Sequence, residues 1–387
     1  MAGSKKNSLK TADENQPFFV GQELELEIES LTFNGGRGLA RKEGFVFFLP
    51  GTAPQEKVLA KVTKVKKNFA EAMAIQVLSP SPNRRTPPCP VAQDCGGCCW
   101  QHIDYPAQLK QKYAIVCSAY KKLAPGVFIQ QPHASPNEFR YRNRIQVHKA
   151  DDRIGFLKSK SHQIVPIEDC LISEEELTSQ FANIRKDQGL RGRIEIARKT
   201  DGSVTIVSGK RPAHLHLFSQ VNTAQNQWLI DKVIDTLSGQ NSFQNIYDLY
   251  CGAGNFTLPI ARAFPHLNIV GVELSESSIK IAKQEKSHAQ FFASDVAQFL
   301  RKNRFSSDAF VILDPPRIGC DPSVIDELSH WGPDHILYIS CNPMTQVRDL
   351  ANLMSKYSIK WVQPIDLFPQ TDHVEVMTLL SRSDHVG

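Results

Sequence analysis

The sequence predicts an α/β protein in which a doubly wound parallel sheet forms the C-terminal part, preceded by a small β-barrel and a mixed α+β region. Three observations support this prediction. From about Leu217 onward, strand-like and helix-like stretches alternate, which is typical of a parallel sheet with helices on both faces. Residues 18–30 alternate between polar and apolar side chains, with glutamates on one face, which is the pattern of a half-buried strand. Short strand-like segments then recur at roughly ten-residue spacing with turn signals between them, which indicates a small barrel.

The length and composition indicate several soluble domains. At 387 residues the chain is longer than the ~250–300 residues at which a single hydrophobic core stops growing, so two or three domains are expected. No apolar run approaches the ~18 residues that a membrane-spanning helix needs, and the polar N-terminus lacks the apolar segment of a secretory signal. We therefore expect a disordered tail over residues 1–16 and a cytoplasmic, monomeric protein with no membrane partner.

Proline-rich stretches and a change of pattern divide the chain into domains. Ser79-Pro80-Ser81-Pro82 follows the last barrel strand, so we place the barrel at residues 17–80, a mixed α+β domain at 83–215 and the α/β domain at 216–387. The middle domain is predicted to contain one helix and three strands, at Pro106–Leu123, Arg144–Lys149, Ile194–Arg198 and Val204–Ser208. The α/β domain is predicted to contain five parallel strands, at Asn245–Tyr250, Asn268–Glu273, Ala289–Ala293, Ala309–Leu313 and Ile336–Ser340.

Positive charge is concentrated in the first quarter of the chain. The net charge is +5, and residues 1–88 carry 13 Lys+Arg against 9 Asp+Glu. A second basic stretch runs from Arg140 to Lys160. Such clusters suit contacts with the phosphates of a nucleic acid, and a solvated surface is the alternative that charge alone leaves open.

A glycine-rich turn follows the first strand of the α/β domain. It reads Asp-Leu-Tyr-Cys-Gly-Ala-Gly-Asn-Phe at residues 248–256, where Gly252 and Gly254 let the backbone turn sharply and approach a ligand. Glu273 ends the next strand, where an acidic side chain can accept both hydroxyls of a ribose, and Asp295 follows the third. This is the pattern of a Rossmann-like S-adenosylmethionine methyltransferase. A cofactor-free α/β domain and a nicotinamide enzyme are the alternatives.

Two further motifs follow the fourth and fifth predicted strands, where ligands bind in open α/β sheets. They are Asp314-Pro315-Pro316-Arg317 and Ser340-Cys341-Asn342-Pro343. Proline stiffens both loops, because it fixes its own φ and restricts the preceding residue. Amino-group methyltransferases commonly have an aromatic residue after Asn/Asp-Pro-Pro, so the arginine here argues against that chemistry.

A cysteine and a late glutamate beside a methyl-donor site suit methylation of a pyrimidine carbon. Carbon 5 of uracil is a weak nucleophile, and a thiolate that adds to carbon 6 converts the ring into an enolate-like species whose carbon 5 can attack. Cys341 is the candidate thiolate, and Glu375 is the candidate base that later removes the proton from carbon 5. His373 competes as the base, and a buried structural thiol is the alternative for Cys341. We interpret the other lone cysteines as structural: Cys117, Cys251 and Cys320.

A second group of cysteines indicates a metal or a cluster. Cys89, Cys95 and Cys98 lie close together in the sequence, and Cys170 is remote. Zinc favours two short paired spacings, whereas three close thiolates with one distant thiolate favour a four-iron cluster. Cys99 is an alternative to Cys98 as a ligand, and four free thiols without a metal are the alternative to a cluster.

At this point the motifs match a family. The chain resembles the bacterial RNA 5-methyluridine (uracil-C5) methyltransferases, in particular the branch with an N-terminal TRAM domain and an iron–sulfur cluster that modifies 23S rRNA. The resemblance covers nearly the whole chain. It depends on six motifs: Cys-x5-Cys-x2-Cys, Phe-x-Gln-Val-Asn, Asp-Leu-Tyr-Cys-Gly-x-Gly-Asn-Phe, Asp-Pro-Pro-Arg, Ser-Cys-Asn-Pro and His-Val-Glu.

The resemblance implies a class I S-adenosylmethionine methyltransferase domain, an OB-like TRAM barrel that binds RNA, and a central iron–sulfur domain. It implies that Cys341 is the nucleophile and Glu375 the base. It implies cofactor contacts from Gln220, Tyr250, Asn255, Glu273, Asp295 and Asp314. It implies a [4Fe-4S] cluster on Cys89, Cys95, Cys98 and Cys170. Three alternatives remain open: a tRNA T-loop uridine as substrate, a non-catalytic RNA-binding or assembly factor, and an iron–sulfur redox protein.

Overall fold

The computed structural model describes most of the chain, and its residues form two compact units. The described residues are 17–159, 161–199, 201–209, 220–240, 243–303 and 305–383. The predicted tail over residues 1–16 lies outside them, as do Phe218 and Ser219 of the Phe-x-Gln-Val-Asn motif. One unit is Met1–Pro87 with Cys99–Asp104, and the other is Pro88–Cys98 with Tyr105–Gly387.

The first unit contains the predicted barrel. Its strands are β1 (Glu23–Leu31), β2 (Gly38–Lys42), β3 (Phe45–Leu49), β4 (Lys57–Val65) and β5 (Phe69–Ser79), closed in the order β1-β2-β3-β5-β4. Leu24, Leu26 and Ile28 of β1 point into the core and the intervening glutamates point outward. The alternation in the sequence therefore predicts the buried face of β1 correctly, and the barrel is confirmed.

The second unit begins with a long helix and an antiparallel sheet. Its first elements are α1 (Tyr105–Tyr120), β6 (Arg144–Ala150), β7 (Arg153–Leu157), β8 (Ile164–Pro166), α2 (Glu175–Thr178), α3 (Phe181–Lys186), β9 (Gly192–Arg198) and β10 (Val204–Ser208). The five strands are ordered β10-β9-β6-β7-β8. Apolar side chains of this sheet pack against α2 and α3. The helix and three strands predicted for this region are all present, and β7, β8, α2 and α3 are additional.

The rest of the second unit is the predicted α/β sheet. Its elements are α4 (Thr223–Ser238), β11 (Asn245–Leu249), α5 (Thr257–Ala263), β12 (Asn268–Glu273), α6 (Glu276–Ala282), β13 (Gln290–Ala293), α7 (Val296–Lys302), β14 (Ala309–Leu313), α8 (Pro322–Trp331), β15 (His335–Ser340), α9 (Pro343–Ala351), β16 (Tyr357–Ile365) and β17 (Glu375–Arg382). The strand order is β13-β12-β11-β14-β15-β17-β16. This is the class I methyltransferase fold, as predicted.

The direction of β17 decides what lies at the functional edge of the sheet. The strands β11 to β15 are parallel, so their carboxyl ends share one edge. β17 runs antiparallel to β15, with Val376 opposite Ser340. Its first residue, Glu375, therefore lies at the edge where β15 ends. No helix among the described residues is long and apolar enough to cross a membrane.

Candidate active site

The glycine-rich turn after β11 is held by a buried carboxylate. Asp248 is 1% exposed and one of its oxygens accepts from the backbone N–H of Thr257 at 3.0 Å and from the Thr257 hydroxyl. The second oxygen is buried and has no hydrogen-bond partner among the described atoms. Burial raises the pKa of Asp248 to about 6. Asp248 thus fixes the start of α5 and leaves one acceptor at the base of the turn.

The turn itself has the open, left-handed backbone that a close ligand requires. Tyr250, Gly252 and Gly254 have φ values of 72°, 57° and 88°. A Cβ at Gly254 would lie 2.9 Å from Leu258 Cγ, whereas one at Gly252 would meet nothing within 4 Å. The space above Gly252 is therefore open, and glycine is required at residue 254 for packing as well as for conformation.

Glu273 lies at the end of β12, against the same turn. Its carboxylate accepts from the Gly252 N–H at 3.3 Å and from the Ser275 N–H at 2.9 Å. Each carboxylate oxygen has two lone pairs, so both oxygens can still accept from a ribose hydroxyl. The predicted position of this acid beside the glycine turn agrees with the geometry.

The other predicted cofactor residues have more varied surroundings. Asp295 caps α7 and accepts from the Gln298 N–H at 3.0 Å. The phenol of Tyr250 lies near Asp295. Burial raises the pKa of Tyr250, and the charge of Asp295 is among those that raise it further. The side-chain amides of Asn255 and Asn226 pair with each other through two 3.0 Å hydrogen bonds. Gln220 is buried.

The loop with Cys341 is tied to the loop with Arg317. Asn342 caps α9 by accepting from the N–H groups of Met344 and Thr345 at 3.1 and 3.4 Å. Its amide nitrogen donates to the carbonyl of Arg317 at 3.3 Å, and the Thr345 hydroxyl donates to the same carbonyl at 3.3 Å. The two motifs at the strand ends thus meet, as the sheet topology requires.

A buried aspartate that the sequence analysis did not identify forms hydrogen bonds with the loop that follows Arg317. Asp349 accepts from the Tyr338 hydroxyl at 2.7 Å and from the Cys320 N–H at 2.8 Å. Its neighbour Arg348 donates to the carbonyl of Ile318 at 2.8 Å. Because α9 supplies all these contacts, one helix holds both the Cys341 end and the Arg317 end of the site.

Three ionisable groups and one arginine meet at this edge. Burial raises the pKa of the Cys341 thiol to about 11, and the carboxylates of Glu375 and Asp314 act in the same direction. The charge of Arg317 and a hydrogen bond from its guanidinium lower that pKa. Burial also raises the pKa of Asp314, with the Asp248 charge adding to it. Burial at this edge therefore makes all three acids harder to ionise than exposed ones.

Glu375 is the most deeply buried member of this group. It is 3% exposed, and burial raises its pKa well above the usual range of a carboxyl. The charge of Asp314 raises that pKa further, and Arg317 opposes both effects. A carboxylate with a raised pKa is a stronger proton acceptor than an exposed one, which suits a general base.

His373, the competing candidate for the base, contacts Arg317. Its Nε2 lies 3.3 Å from the Arg317 guanidinium. Burial lowers the pKa of His373, so the ring is neutral and Nε2 accepts from Arg317. The histidine thereby orients the arginine. The Asp-Pro-Pro-Arg motif is the sequence signal that could have identified Arg317 as a site residue.

Two of the candidate cluster ligands, Cys89 and Cys170, lie near Cys95 in the second unit. Burial raises the pKa of Cys95, and the nearby thiols of Cys170 and Cys89 raise it further. Cys98 and Cys170 both lie near the buried hydroxyl of Tyr141. Among the described residues, however, no group of three or more His, Cys, Asp or Glu side chains is arranged so that it could hold a metal ion. The donor chemistry fits a cluster, while the arrangement does not show one.

Cys99 belongs to the first unit and packs against the turn at Gly36. A Cβ at Gly36 of the first unit would lie 2.6 Å from the Cys99 sulfur, and the neighbouring Trp100 donates to the Gly36 carbonyl at 3.0 Å. The side chain of Cys99 is therefore directed at the Gly36 turn within the first unit.

Comparisons with known proteins agree with this geometry. A family model described as tRNA (uracil-5-)-methyltransferase matches residues 211–383, and a TRAM domain model matches residues 17–75. An RNA methyltransferase of Bdellovibrio bacteriovorus, described as uncharacterized, is 41% identical over 377 residues, or 93% of this chain and 95% of the relative. A protein of the same description from Thermosynechococcus vestitus is 30% identical over 449 residues, covering 94% of this chain and 99% of the relative.

A solved structure resembles nearly the whole chain. The Pyrococcus abyssi tRNA (uracil-54, C5)-methyltransferase, in complex with S-adenosyl-L-homocysteine, has a TM-score of 0.71 and 24% sequence identity. The match covers 92% of this chain and 100% of the other. At this identity the similarity establishes the fold.

Proposed function

Since this chain belongs to the RNA (uracil-C5)-methyltransferase family, we propose that it methylates carbon 5 of one specific uridine in 23S rRNA. It is an S-adenosylmethionine-dependent RNA methyltransferase. The observation that carries the chemical part of the proposal is the meeting of Cys341, Glu375 and Arg317 at the edge of the sheet where the glycine turn also lies. The choice of 23S rRNA depends on the resemblance of the sequence motifs. The chemistry of that edge matches what a weakly nucleophilic pyrimidine carbon requires.

The cofactor site is proposed to consist of six residues around the glycine turn: Gln220, Tyr250, Asn255, Glu273, Asp295 and Asp314. When bound, S-adenosylmethionine supplies an electrophilic methyl group. The open space above Gly252 and the spare lone pairs of Glu273 support a ribose at this position. Tyr250 and Asp295 lie near each other and can contact one side of an adenosine.

In the proposed reaction Cys341 and Glu375 act in sequence. The thiolate of Cys341 adds to carbon 6 of a uridine flipped out of its stack, and carbon 5 then takes the methyl group. Glu375 removes the proton from carbon 5, and the bond between carbon 6 and the Cys341 sulfur breaks. Arg317, oriented by His373, offsets the negative charge at the sulfur.

The RNA is proposed to contact the barrel and the middle region. The TRAM match supports RNA binding by the barrel. In the second unit, Gln146, His148, Phe156 and Lys158 line a groove of about 560 Å³. An aromatic ring beside amide, imidazole and ammonium groups is suited to a single-stranded nucleotide, because bases stack on rings and hydrogen-bond through their edges.

We also propose that Cys89, Cys95, Cys98 and Cys170 bind a [4Fe-4S] cluster. The proximity of Cys95 to Cys89 and Cys170 supports this proposal. Anaerobic purification followed by iron and sulfide analysis tests it, with Cys95→Ser as the variant and Cys99→Ser as the matched control. Loss of iron only in Cys95→Ser is expected. Wild-type protein without iron and sulfide would contradict it.

A tRNA uridine is the second candidate substrate, because both the family description and the Pyrococcus abyssi enzyme refer to tRNA. Mass mapping of ribosomal and transfer RNA from a strain that lacks this gene distinguishes the two. Loss of one 5-methyluridine from 23S rRNA is the expected result. Loss from tRNA alone would replace the substrate, and no loss in either would leave the non-catalytic RNA-binding function.

Variants of the two central residues test the chemistry. Cys341→Ala should abolish methyl transfer and retain RNA binding, whereas Cys117→Ala should retain both. Glu375→Gln should accumulate a covalent RNA–protein adduct, visible as a slow band on a denaturing gel. Full activity of Cys341→Ala, or turnover of Glu375→Gln without an adduct, would contradict the assigned roles.

A further inference from the structure

The helix α1 presents a buried stripe of polar side chains to the α/β sheet. Gln108, Lys112 and Tyr120 lie four and eight residues apart, so they share one face of the helix. All three are 0% exposed. Lysine is almost never fully buried without a partner, and a buried polar stripe on a helix needs partners along its length.

The partners of Lys112 and Gln108 lie in the segment that leads to Glu375, residues 366–374, which we call the base loop. The Lys112 ammonium donates to Asp366 Oδ1 at 2.6 Å and to the carbonyl of Phe368 at 3.0 Å. The amide of Gln108 donates to Gln370 Oε1 at 2.9 Å and accepts from the Gln370 N–H at 2.9 Å. Two side chains of α1 therefore bind the first half of the base loop, from Asp366 to Gln370.

One partner of Tyr120, Thr378, follows Glu375 on β17, and the other, Gln346, lies on α9. The Tyr120 hydroxyl donates to Gln346 Oε1 at 2.7 Å and lies 2.6 Å from Thr378 Oγ1. The amide of Gln346 donates to the carbonyls of Tyr338 and Val376 at 2.9 and 3.1 Å. The polar stripe of α1 therefore forms hydrogen bonds with the chain both before and after Glu375.

Stability alone does not account for this stripe. Replacing a buried ion pair such as Lys112–Asp366 by well-packed apolar residues is often neutral or stabilising. Gln370 also adopts a left-handed backbone with φ of 70°, a conformation that persists in a non-glycine residue when surrounding contacts impose it. The geometry of the base loop, rather than its burial, is what the polar contacts specify.

We propose that Lys112 and Gln108 are positioning residues for proton removal: they fix the base loop so that the Glu375 carboxylate reaches the hydrogen on carbon 5. The inference depends on the proposed function. In this step the Glu375 oxygen takes the proton, the electron pair of the C–H bond forms the double bond between carbons 5 and 6, and the sulfur of Cys341 leaves as a thiolate. Displacement of the base loop slows this step more than the earlier methyl transfer.

The test uses Gln108→Ala and Lys112→Met, with Lys110→Met on the exposed side of α1 as the matched control. The substrate is an unmodified 23S rRNA transcript, or a tRNA transcript if wild type prefers it, with deuterium at carbon 5 of uridine. Single-turnover methyl incorporation and product release are measured separately. Both variants should release product on the order of tenfold to a hundredfold more slowly, accumulate the covalent adduct and show a larger deuterium isotope effect.

Three results would overturn the proposal. The first is that methyl incorporation and product release slow by the same factor. The second is that product release slows without accumulation of the covalent adduct and without a larger deuterium isotope effect. The third is that both variants release product at the wild-type rate. Lys112→Met leaves Asp366 as a buried charge, so Lys112→Met/Asp366→Leu is included as a variant that keeps the interior neutral. If this double variant folds and releases product at the wild-type rate, the ion pair does not position Glu375. If wild type methylates neither transcript, the proposed function fails, and the inference fails with it.

Discussion

Replacing Arg317 with methionine tests whether this guanidinium keeps the Cys341 thiol reactive. Burial and the charge of Glu375 raise the pKa of that thiol to about 11, and Arg317 opposes them by its charge and a hydrogen bond. Methionine has a similar reach and lacks the positive charge and the donors. We therefore expect the pKa of Cys341 to be higher in Arg317→Met than in the wild-type protein.

The magnitude follows from the charge and exposure of the arginine. At about pH 8, a thiol with a pKa of about 11 is ionised to roughly one part in a thousand. An adjacent opposite charge typically lowers a pKa by roughly 1–3 units. Because Arg317 is exposed and solvent screens its charge, we take the lower end, about one unit, or about 1.4 kcal/mol. The thiolate population at pH 8 should fall about tenfold.

Site-resolved alkylation measures this population without RNA. The protein is treated with iodoacetamide over a range of pH, and mass spectrometry follows the Cys341 peptide, with the Cys117 peptide of the same sample as a reference. The alkylation rate of Cys341 should fall about tenfold at pH 8 in Arg317→Met, and less in Arg317→Lys, which keeps a positive charge. An unchanged pH profile in Arg317→Met would refute the electrostatic role of the arginine.

Three further substitutions test other features. Burial raises the folded-state pKa of Asp248 to about 6, so the protonated carboxyl stabilises the fold below about pH 4, and this stabilisation is lost as the pH rises through 6. The free energy of unfolding of Asp248→Asn, measured in urea, should therefore rise by up to about 3 kcal/mol relative to wild type between pH 4 and 7. A difference that stays constant with pH would contradict this. Gly254→Ala adds a Cβ 2.9 Å from a side-chain carbon and should weaken S-adenosylmethionine binding in calorimetry, whereas Gly126→Ala, with φ of 82° and open space, should not. Arg84→Ala leaves the buried carboxylate of Glu56 unpaired and should destabilise the barrel by about 3–5 kcal/mol, seen as faster hydrogen exchange there; unchanged exchange would argue against it.

The parallel strands were predictable because burial on both faces makes them short apolar runs between turn signals. β12 and β14 have the predicted bounds, and β11, β13 and β15 differ by one residue at one end. In each case the local pattern and the tertiary environment agree, so one periodicity is enough to locate the element.

The last two strands were not predicted, and they determine the position of Glu375. The first six residues of β17 are buried although they mix polar and apolar side chains, so the sequence lacks the period-two alternation that indicates a strand. β16 contains a proline, and its register with β17 shifts between Ile359 and Trp361, which breaks the alternation. The pairing of Glu375 with Cys341 was therefore inferred from a motif resemblance, and the antiparallel direction of β17 supplies its physical reason.

The contacts of α1 were beyond any local pattern. Lys112 and Asp366 are 254 residues apart in the sequence, and a lysine and a glutamine on a helix ordinarily indicate a solvated face. Only the packing of α1 on the base loop reveals that this face is buried. The same holds for Asp349, whose role depends on a loop that is distant from it in the sequence.

The charges at the sheet edge couple the ionisation of the acids there. The negative charges of Glu375 and Asp314 raise the pKa of Cys341, the charge of Asp314 also raises the pKa of Glu375, and Arg317 opposes these effects at both Cys341 and Glu375. In the proposed reaction the sulfur is uncharged once it is bonded to carbon 6, the negative charge passes to the uracil ring, and methylation removes it. Neither the sulfur nor the ring then carries a negative charge that would disfavour the ionisation of Glu375. We therefore infer that the proposed base ionises more readily after methyl transfer than while Cys341 is a thiolate.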